Sequence, residues 1–475
     1  MQDHDLRYTL ASYACKKECL GINASKSAWR GESGFRSETT AAGLRTPGVE
    51  QACSDVSRLR TRLPGRMGIC VASTIRAIQE RPKGMIVVLL ELAALLQVPL
   101  ASFSPGDEVA PIPPPSRSAQ LIPDFRWDRV PVNIHFGKRN GELTDDEIGF
   151  IASHSELVTL EKSHGVGRHG STEKGIAATA ARLKRFNPRV KVLFYFNAFV
   201  NWPGYDAFET YRSEWTLRQA DGQVVSHPSG TPRPDPSHAD FREWWSEIVS
   251  QAVKSGRLDG VFADALPQSR SPALAKQLGA AKQEAVVDGL RQMLTLTKRK
   301  LGSDKIVLAN GIRAGQYLDF LDWEGIDGVM IEHFDAYNSR APEDLKADLD
   351  SMALAATKGK FVVLKGWPAL TEAEREITNR SHAEQLRLAR ERITFPLACF
   401  LIGAQRGCHF CYAWGYREAD GGLEAYPELE RALGPPQTDA TWNGLEATRD
   451  FAHASVWIDL HTKQARIDWK KSKPE

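Results

Sequence analysis

From Pro123 to the C-terminus, short apolar runs alternate with longer stretches of helical period. The runs are Val130–Phe136, Leu157–Glu161, Val190–Asn197, Gly260–Asp264, Ile306–Asn310, Gly328–Glu332, Phe361–Lys365 and Gly407–Tyr412. Runs of this length, apolar on both faces, are characteristic of parallel strands covered by helices. The intervening periodicity predicts helices over Glu173–Phe186, Ala239–Lys254, Lys282–Leu301, Pro342–Thr357 and Ser381–Ile402, with shorter ones at Thr144–Ser153 and Gln316–Trp323. Eight such alternations predict an α/β fold, a (β/α)8 TIM barrel over 123–436. A doubly wound open sheet is the runner-up, but it would usually carry a glycine-rich first turn, and no GxGxxG or P-loop occurs. Two-residue alternation over Ser455–Trp469 predicts a small β-hairpin packed on the barrel, within a C-terminal extension 437–475.

One phrase occurs twice: Leu-Asp-Gly-Val-Phe-Ala-Asp ending at Asp264, and Ile-Asp-Gly-Val-Met-Ile-Glu ending at Glu332. Counting back by twos places Phe262 and Gly260 on the face of Asp264, and Met330 and Gly328 on that of Glu332. Val261, Ala263, Val329 and Ile331 then face the helices, so both acids are expected to point into the barrel mouth. They end the fourth and sixth strands, which contribute to a common interior layer. Two carboxyl groups flanking one bond are what glycoside hydrolysis requires. Against this stands a plain reading in which each acid pairs with a Lys or Arg at the rim. Asp335, three residues past Glu332, is a competing acid.

Barrel chemistry gathers where strands end. Those positions read His135, Glu161, Asn197, Asp264, Asn310, Glu332, Lys365 and Tyr412, a set suited to hydroxyl-rich substrates. His164, Arg168 and His169 follow Glu161 in a Gly- and His-containing loop, but no HExxH accompanies them, so no metal is expected. Lys365 has the residue type of a Schiff-base nucleophile, yet beside Gly366-Trp367-Pro368 it reads better as a hydrogen-bond donor to substrate or a partner for a carboxylate. The insertion Phe199–Ser237 is long enough to suggest function and carries Trp202, Tyr205, Tyr211 and Trp215. Trp367 and Trp414 add aromatics after the seventh and eighth strands; such faces can stack on sugar rings or simply fill core.

Composition narrows the partners. The formal charge of +2 and scattered basic residues exclude no protein class but supply no nucleic-acid motif. Cys408 and Cys411 resemble a metal clip only superficially, since residues three apart on a strand point to opposite faces and no second ligand pair follows. Buried thiols or one disulfide are expected. Residues 1–84 read as a low-order segment, and 85–104 as a basic-flanked apolar stretch of signal or anchor type, interrupted by Glu91 and short for a membrane span. Its internal position leads to the expectation that translation starts at Met67 or Met85 and that the protein is secreted, periplasmic or membrane-anchored. A Pro-rich linker over 105–122 is expected not to pack.

With "FYFNAF", "DGVFADAL", "LANGI", "IEHFDAYN" and "LKGWP" in this order, the chain resembles glycosyl-hydrolase-like family 15 and, more distantly, the α-galactosidase-type barrels. The resemblance covers Asp124 to Lys470. It implies a barrel of glycosidase type with no settled substrate; the two carboxyls lead to the expectation of a glycosidase acting on an oligo- or polysaccharide, needing no organic cofactor because hydrolysis requires only positioned carboxyls and water. In the distant relatives the nucleophilic Asp ends strand four and the acid/base carboxylate ends strand six, which carries over to Asp264 and to Glu332 or Asp335. The departure is a strand-four Asp followed by Ala265 and Leu266, without further polar companions. The expectation is retention of configuration, with His135, Glu161, His164, Asn197, Trp202, Asn310, Asp335, Lys365, Trp367, Tyr412 and Trp414 lining the substrate. A barrel that binds sugar without cleaving it, and a polysaccharide lyase using a His or Tyr base beside basic residues such as Lys162, Arg168 and Lys365, are the rival readings.

Overall fold

A computed structural model describes residues 120–337, 339–368 and 380–470. The segment 1–84, the signal-like stretch 85–104 and nearly all of the linker lie outside the described residues. All eight expected strands form: β1 (Asn133–Phe136), β2 (Leu157–Leu160), β3 (Lys191–Asn197), β4 (Gly260–Asp264), β5 (Ile306–Ile312), β6 (Gly328–Ile331), β7 (Phe361–Gly366) and β8 (His409–Tyr412). They pair in chain order, each parallel to the next. β8 returns beside β1 through a parallel bridge between Phe410 and Val132, where the Phe410 N–H donates to the Pro131 carbonyl. The architecture is a (β/α)8 barrel.

Helices α1 (Asp145–His154), α2 (Thr172–Phe186), α3 (Ala239–Ser255), α4 (Ala280–Leu301), α5 (Pro342–Thr357), α6 (His382–Arg392) and α7 (Thr394–Gly403) surround it. Thr144 and Glu147 form a reciprocal capping box that starts α1. Two helical expectations change. The run Ser381–Ile402 divides into α6 and α7, because Pro396 has no N–H to offer the Arg392 carbonyl and its ring crowds that position. Between β5 and β6 the short helix expected at Gln316–Trp323 is a single 3-10 turn, Leu318–Asp322.

Side-chain parity separates two layers as the sequence implies. Tyr195, Phe262, Leu308, Met330, Val363 and Cys411 fill the barrel interior. Val261, Ala263, Val329 and Ile331 join the outer layer between strands and helices. Leu121, Ile122 and Phe125 belong to the interior cluster, so the end of the expected linker packs.

The repeated Asp-Gly phrase has a structural cause at its front end. Asp259 Oδ2 accepts from the Val192 N–H of β3 at 2.9 Å and from Lys184 of α2 at 2.5 Å. Asp327 Oδ2 accepts from the Val307 N–H of β5 at 2.8 Å and from Lys298 of α4 at 2.8 Å. Each Asp thus ties the start of its strand to the preceding strand and helix. Glycine follows because space does: a Cβ on Gly260 falls 1.9 Å from the Ile306 carbonyl oxygen, and one on Gly328 falls 2.6 Å from the Phe361 ring.

The C-terminal hairpin is present as β11 (Ala454–Asp459) and β12 (Gln464–Trp469), and two further strands, β9 (Thr441–Asn443) and β10 (Glu446–Asp450), extend it to a four-stranded antiparallel sheet. It packs against α7, where the Arg449 guanidinium reaches the carbonyls of Leu401, Ile402 and Ala404 and satisfies the helix end. Among the described residues, no helix is long and apolar enough to cross a membrane.

Candidate active site

The two acids singled out by the repeat meet over one side chain. Asp264 ends β4, and Glu332 follows β6. β5 lies between them and carries a register shift at Asn310/Ile312, the kind of irregularity that re-aims a side chain. Asn310 Nδ2 donates to Asp264 Oδ1 at 2.9 Å and to Glu332 Oε2 at 2.7 Å. Two bonds of 2.9 and 2.7 Å to one nitrogen hold those carboxylate oxygens within about 5.6 Å of each other.

Each acid has its own further partners. Asp264 Oδ2 accepts from the Tyr195 hydroxyl and from Asn197 Nδ2 at 2.9 Å, and its Oδ1 also accepts from the Ala265 N–H at 2.7 Å. Glu332 Oε1 accepts from the Tyr416 hydroxyl at 2.9 Å, and His333 Nε2 stands 3.4 Å from Oε2. The Glu332 carbonyl accepts from Trp367 Nε1 at 2.7 Å. Burial, and the carboxylates they face, push the Tyr195 and Tyr416 hydroxyls well above the usual phenol range. Both therefore remain donors at neutral pH.

Glu161 supplies a third carboxylate. Burial pushes its pKa up, but the Lys162 ammonium at 2.5 Å and His135 outweigh this and hold it down to about 2. His135 Nε2 is 3.6 Å from Glu161, beyond a good hydrogen bond, and burial lowers the imidazole pKa despite that neighbour. Its ring lies 4.5 Å from Tyr416 and 5.0 Å from Phe262. His135 thus sits in the floor of the mouth as a neutral ring at physiological pH.

Lys365 is a pedestal. Fully buried, it donates to the Ala413 and Gly415 carbonyls at 3.3 and 3.4 Å, with its ammonium 4.2 Å from the Trp367 ring and 4.6 Å from that of Tyr416. Burial lowers its pKa, Cys411 and Glu332 opposing. It supports the two aromatics that hold Glu332 and has no exposed surface to offer a substrate.

Several expected substrate contacts lie elsewhere. His164 bonds Thr179 at 2.8 Å and accepts from the Lys138 N–H at 3.1 Å; burial holds its pKa down to about 4. Tyr412 points outward, donating to the Ala389 carbonyl of α6 at 2.8 Å. Trp414 is buried with its indole N–H on the Gln385 carbonyl at 3.0 Å. Trp202 packs edge-on against His227 at 5.2 Å. Tyr211 and Trp215 pack against Phe241 and Trp244 of α3, so these insertion aromatics cover a helix. Asp335 faces Lys463 and Arg340.

Sequence reasoning missed Tyr195 and His333, and read Lys162 only as a basic residue of a lyase pocket and Tyr416 only as one of the aromatics of "YAWGY" after the eighth strand. Tyr195 was readable, being two residues before Asn197 and so on the same strand face. Tyr416 follows β8 by four residues, where no strand period indicates direction. A depression of about 600 Å³ lies on the outer flank among Arg242, Arg291, Arg299 and Trp323, on helices rather than strand ends. Among the described residues no His, Cys, Asp and Glu group could hold a metal. Cys399, Cys408 and Cys411 are buried free thiols.

The sequence model of the family described as hypothetical glycosyl hydrolase family 15 matches residues 184–455, more than half of the chain. A comparison with curated proteins finds no match. Among solved structures, the chain is similar to a variant of the glycoside hydrolase domain of PelA from Pseudomonas aeruginosa, at 14% identity over 55% of this chain and 91% of that one, with a TM-score of 0.36. It is similar to Ega3 of Aspergillus fumigatus, solved with galactosamine, at 13% identity over 55% and 88%, TM-score 0.34. For an α-amylase from Geobacillus thermoleovorans the figures are 10% identity over 70% and 86%, TM-score 0.42. By the extent of the family match, this chain belongs to hypothetical glycosyl hydrolase family 15 and is a glycoside hydrolase whose substrate is a carbohydrate.

Proposed function

We propose that this chain cleaves an oligo- or polysaccharide with retention of anomeric configuration, Asp264 acting as nucleophile and Glu332 as acid/base. The observation that carries the reading is the shared Asn310, whose bonds of 2.9 and 2.7 Å keep the facing oxygens of the two carboxylates, Asp264 Oδ1 and Glu332 Oε2, no more than about 5.6 Å apart, short of the gap an inverting water needs. Retaining enzymes separate their carboxyl groups by about 5–5.5 Å, whereas inverting ones leave roughly 6.5–9.5 Å for a water.

The donor pattern supports the division of roles. Asp264 accepts from Tyr195, Asn197, Ala265 and Asn310, four donors that fix its carboxylate at the end of β4. An oxygen of Asp264 attacks the anomeric carbon as the glycosidic C–O bond breaks, and Glu332 gives its proton to the leaving oxygen. Water then attacks the glycosyl ester; Glu332 takes a proton from it, and Asp264 leaves as carboxylate. A lyase would need a ready base, and the raised Tyr195 and Tyr416 and the buried His135 are poorly suited to that part. We place the reaction outside the cytoplasm on the strength of the apolar stretch 85–104 after Arg81 and Lys83; N-terminal sequencing of exported protein tests this.

The decisive experiment screens the full chain against polysaccharides and 4-nitrophenyl α- and β-glycosides, following the first-formed anomer by proton NMR. Retention is expected. Asp264→Asn and Glu332→Gln are each expected to lower kcat by roughly 10²- to 10⁴-fold with unchanged thermal midpoints. Only Glu332→Gln should keep kcat/KM on a dinitrophenyl glycoside, whose leaving group needs no proton, while its kcat stays low because water in the second step still lacks its base. Near-native kcat on the 4-nitrophenyl substrate in either variant sinks the assignment.

A further inference from the structure

We propose that the C-terminal sheet is a positioning element for the acid/base, acting through an ion pair between Lys463 and Asp335. This rests on the reading of Glu332 as acid/base. Lys463 sits in the β11–β12 turn, and its ammonium contacts Asp335 Oδ1 across 128 residues of sequence. Arg340 Nε stands 3.6 Å from the same oxygen.

The loop that needs holding is the one that carries Glu332. Asp335 and Tyr337 both adopt left-handed backbone, with φ of 50° and 55°, although neither is glycine. Such conformations are unfavourable for residues with a Cβ and persist only where the surroundings over-determine them. From Asp335 the chain of contacts leads back to the acid. The Ala336 N–H donates to the His333 carbonyl at 3.1 Å, the Tyr337 ring lies 4.4 Å from that of His333, and His333 Nε2 is 3.4 Å from Glu332 Oε2.

The presenting side is itself braced. Asp459 accepts from the His461 N–H at 2.8 Å and from Thr462 Oγ1 at 2.6 Å, which folds the turn that presents Lys463. The sheet is tied to the barrel by Arg449 at the end of α7 and by Lys346 of α5, whose ammonium lies 4.4 Å from the Trp442 ring. Because α5 begins where the Glu332 loop ends, sheet and loop share a support. An ion pair reaching from an appended sheet to a strained loop does what packing alone would not: it fixes where Asp335 lies and, through His333, where Glu332 lies.

The test compares the full chain with Lys463→Ala, Lys463→Arg, Asp335→Asn and the double variant Lys463→Ala/Asp335→Asn, on the 4-nitrophenyl glycoside that the wild type turns over. Lys463→Ala is expected to lower kcat at least fivefold with KM within twofold, Lys463→Arg to recover most of it, and the double variant to be no worse than the poorer single one. Hydrogen exchange at amides 333–337 should quicken at least tenfold in Lys463→Ala, with β3 and β4 unchanged. Native kcat with native exchange in Lys463→Ala overturns the proposal, as does a kcat loss that Lys463→Arg does not repair. If the wild type hydrolyses no glycoside of the panel, or if Glu332→Gln keeps near-native kcat on the 4-nitrophenyl substrate, the acid/base reading falls instead. Exchange at 333–337 still decides whether Lys463 holds the loop.

Discussion

Asn310 is the residue on which the site turns, because one amide nitrogen serves two carboxylates that would otherwise repel each other across a half-buried mouth. An Asn310→Ala variant removes a donor from each acid at once. Removing one preorganised donor from a site of developing charge typically costs about 10²- to 10³-fold in kcat. A loss in that range is expected here, with KM changed much less, read by steady-state kinetics on the same glycoside. Asn310→Asp should be worse, since it adds a third acceptor where a donor is needed. A variant lacking Asn310 that retained native kcat would remove the reason for treating the two acids as a unit. Residue-scale legibility follows the same geometry. Asp264, Glu332, Asn197 and Asn310 could be singled out because each falls at or next to the C-terminal end of an apolar run: Asp264 and Asn197 end β4 and β3, Glu332 follows β6, and Asn310 lies near the end of β5. The packing of Lys365, Tyr412 and Trp414 was not legible: Lys365 in β7 lies against the Trp367 and Tyr416 rings, and Tyr412 in β8 and Trp414 after it bond carbonyls of α6.

At the scale of elements, the repeated Asp-Gly is a strand-starting device used twice, and its two copies differ in burial. The Lys298–Asp327 pair is 8% and 0% exposed at its side chains, whereas Lys184–Asp259 is 23% and 12% exposed. Removing one partner of a buried pair leaves an uncompensated charge and costs about 3–5 kcal/mol. Lys298→Met is expected to lose about that much, and Lys184→Met distinctly less, by urea unfolding at neutral pH. Equal losses would contradict the burial argument. Barrel strands were legible because their apolar runs are two-sided and bounded by glycine and acid. β9 and β10 were not, because "TWN" and "EATRD" bury little beyond Ala447 and Arg449. The role of the front of the repeat was not legible, since nothing local announces that its Asp side chain bonds the neighbouring strand.

The whole molecule has a pH response that can be assigned to particular groups. His164 and His409 are buried, and burial holds both down to about 4 from an ordinary 6.5. A group whose folded value lies below its unfolded one stabilises the fold fully above the unfolded value and loses that contribution as pH falls through the folded one. Each histidine therefore withdraws stability between about pH 6.5 and 4, some 3 kcal/mol apiece at the lower end by ~1.4 kcal/mol per unit. Glu161, held at about 2 against an ordinary 4.5, follows the same sign in a lower window. Its share is intact above about pH 4.5 and disappears only toward pH 2. Unfolding free energy measured by urea at pH 7, 5.5 and 4.5 should thus fall steeply while the Glu161 share stays intact. Replacing His164 and His409 by Gln should flatten that fall even if it lowers stability at pH 7, because a side chain that cannot protonate has nothing to lose. An unchanged slope in the double variant would move the acid sensitivity away from the buried imidazoles and onto the carboxylates of the mouth.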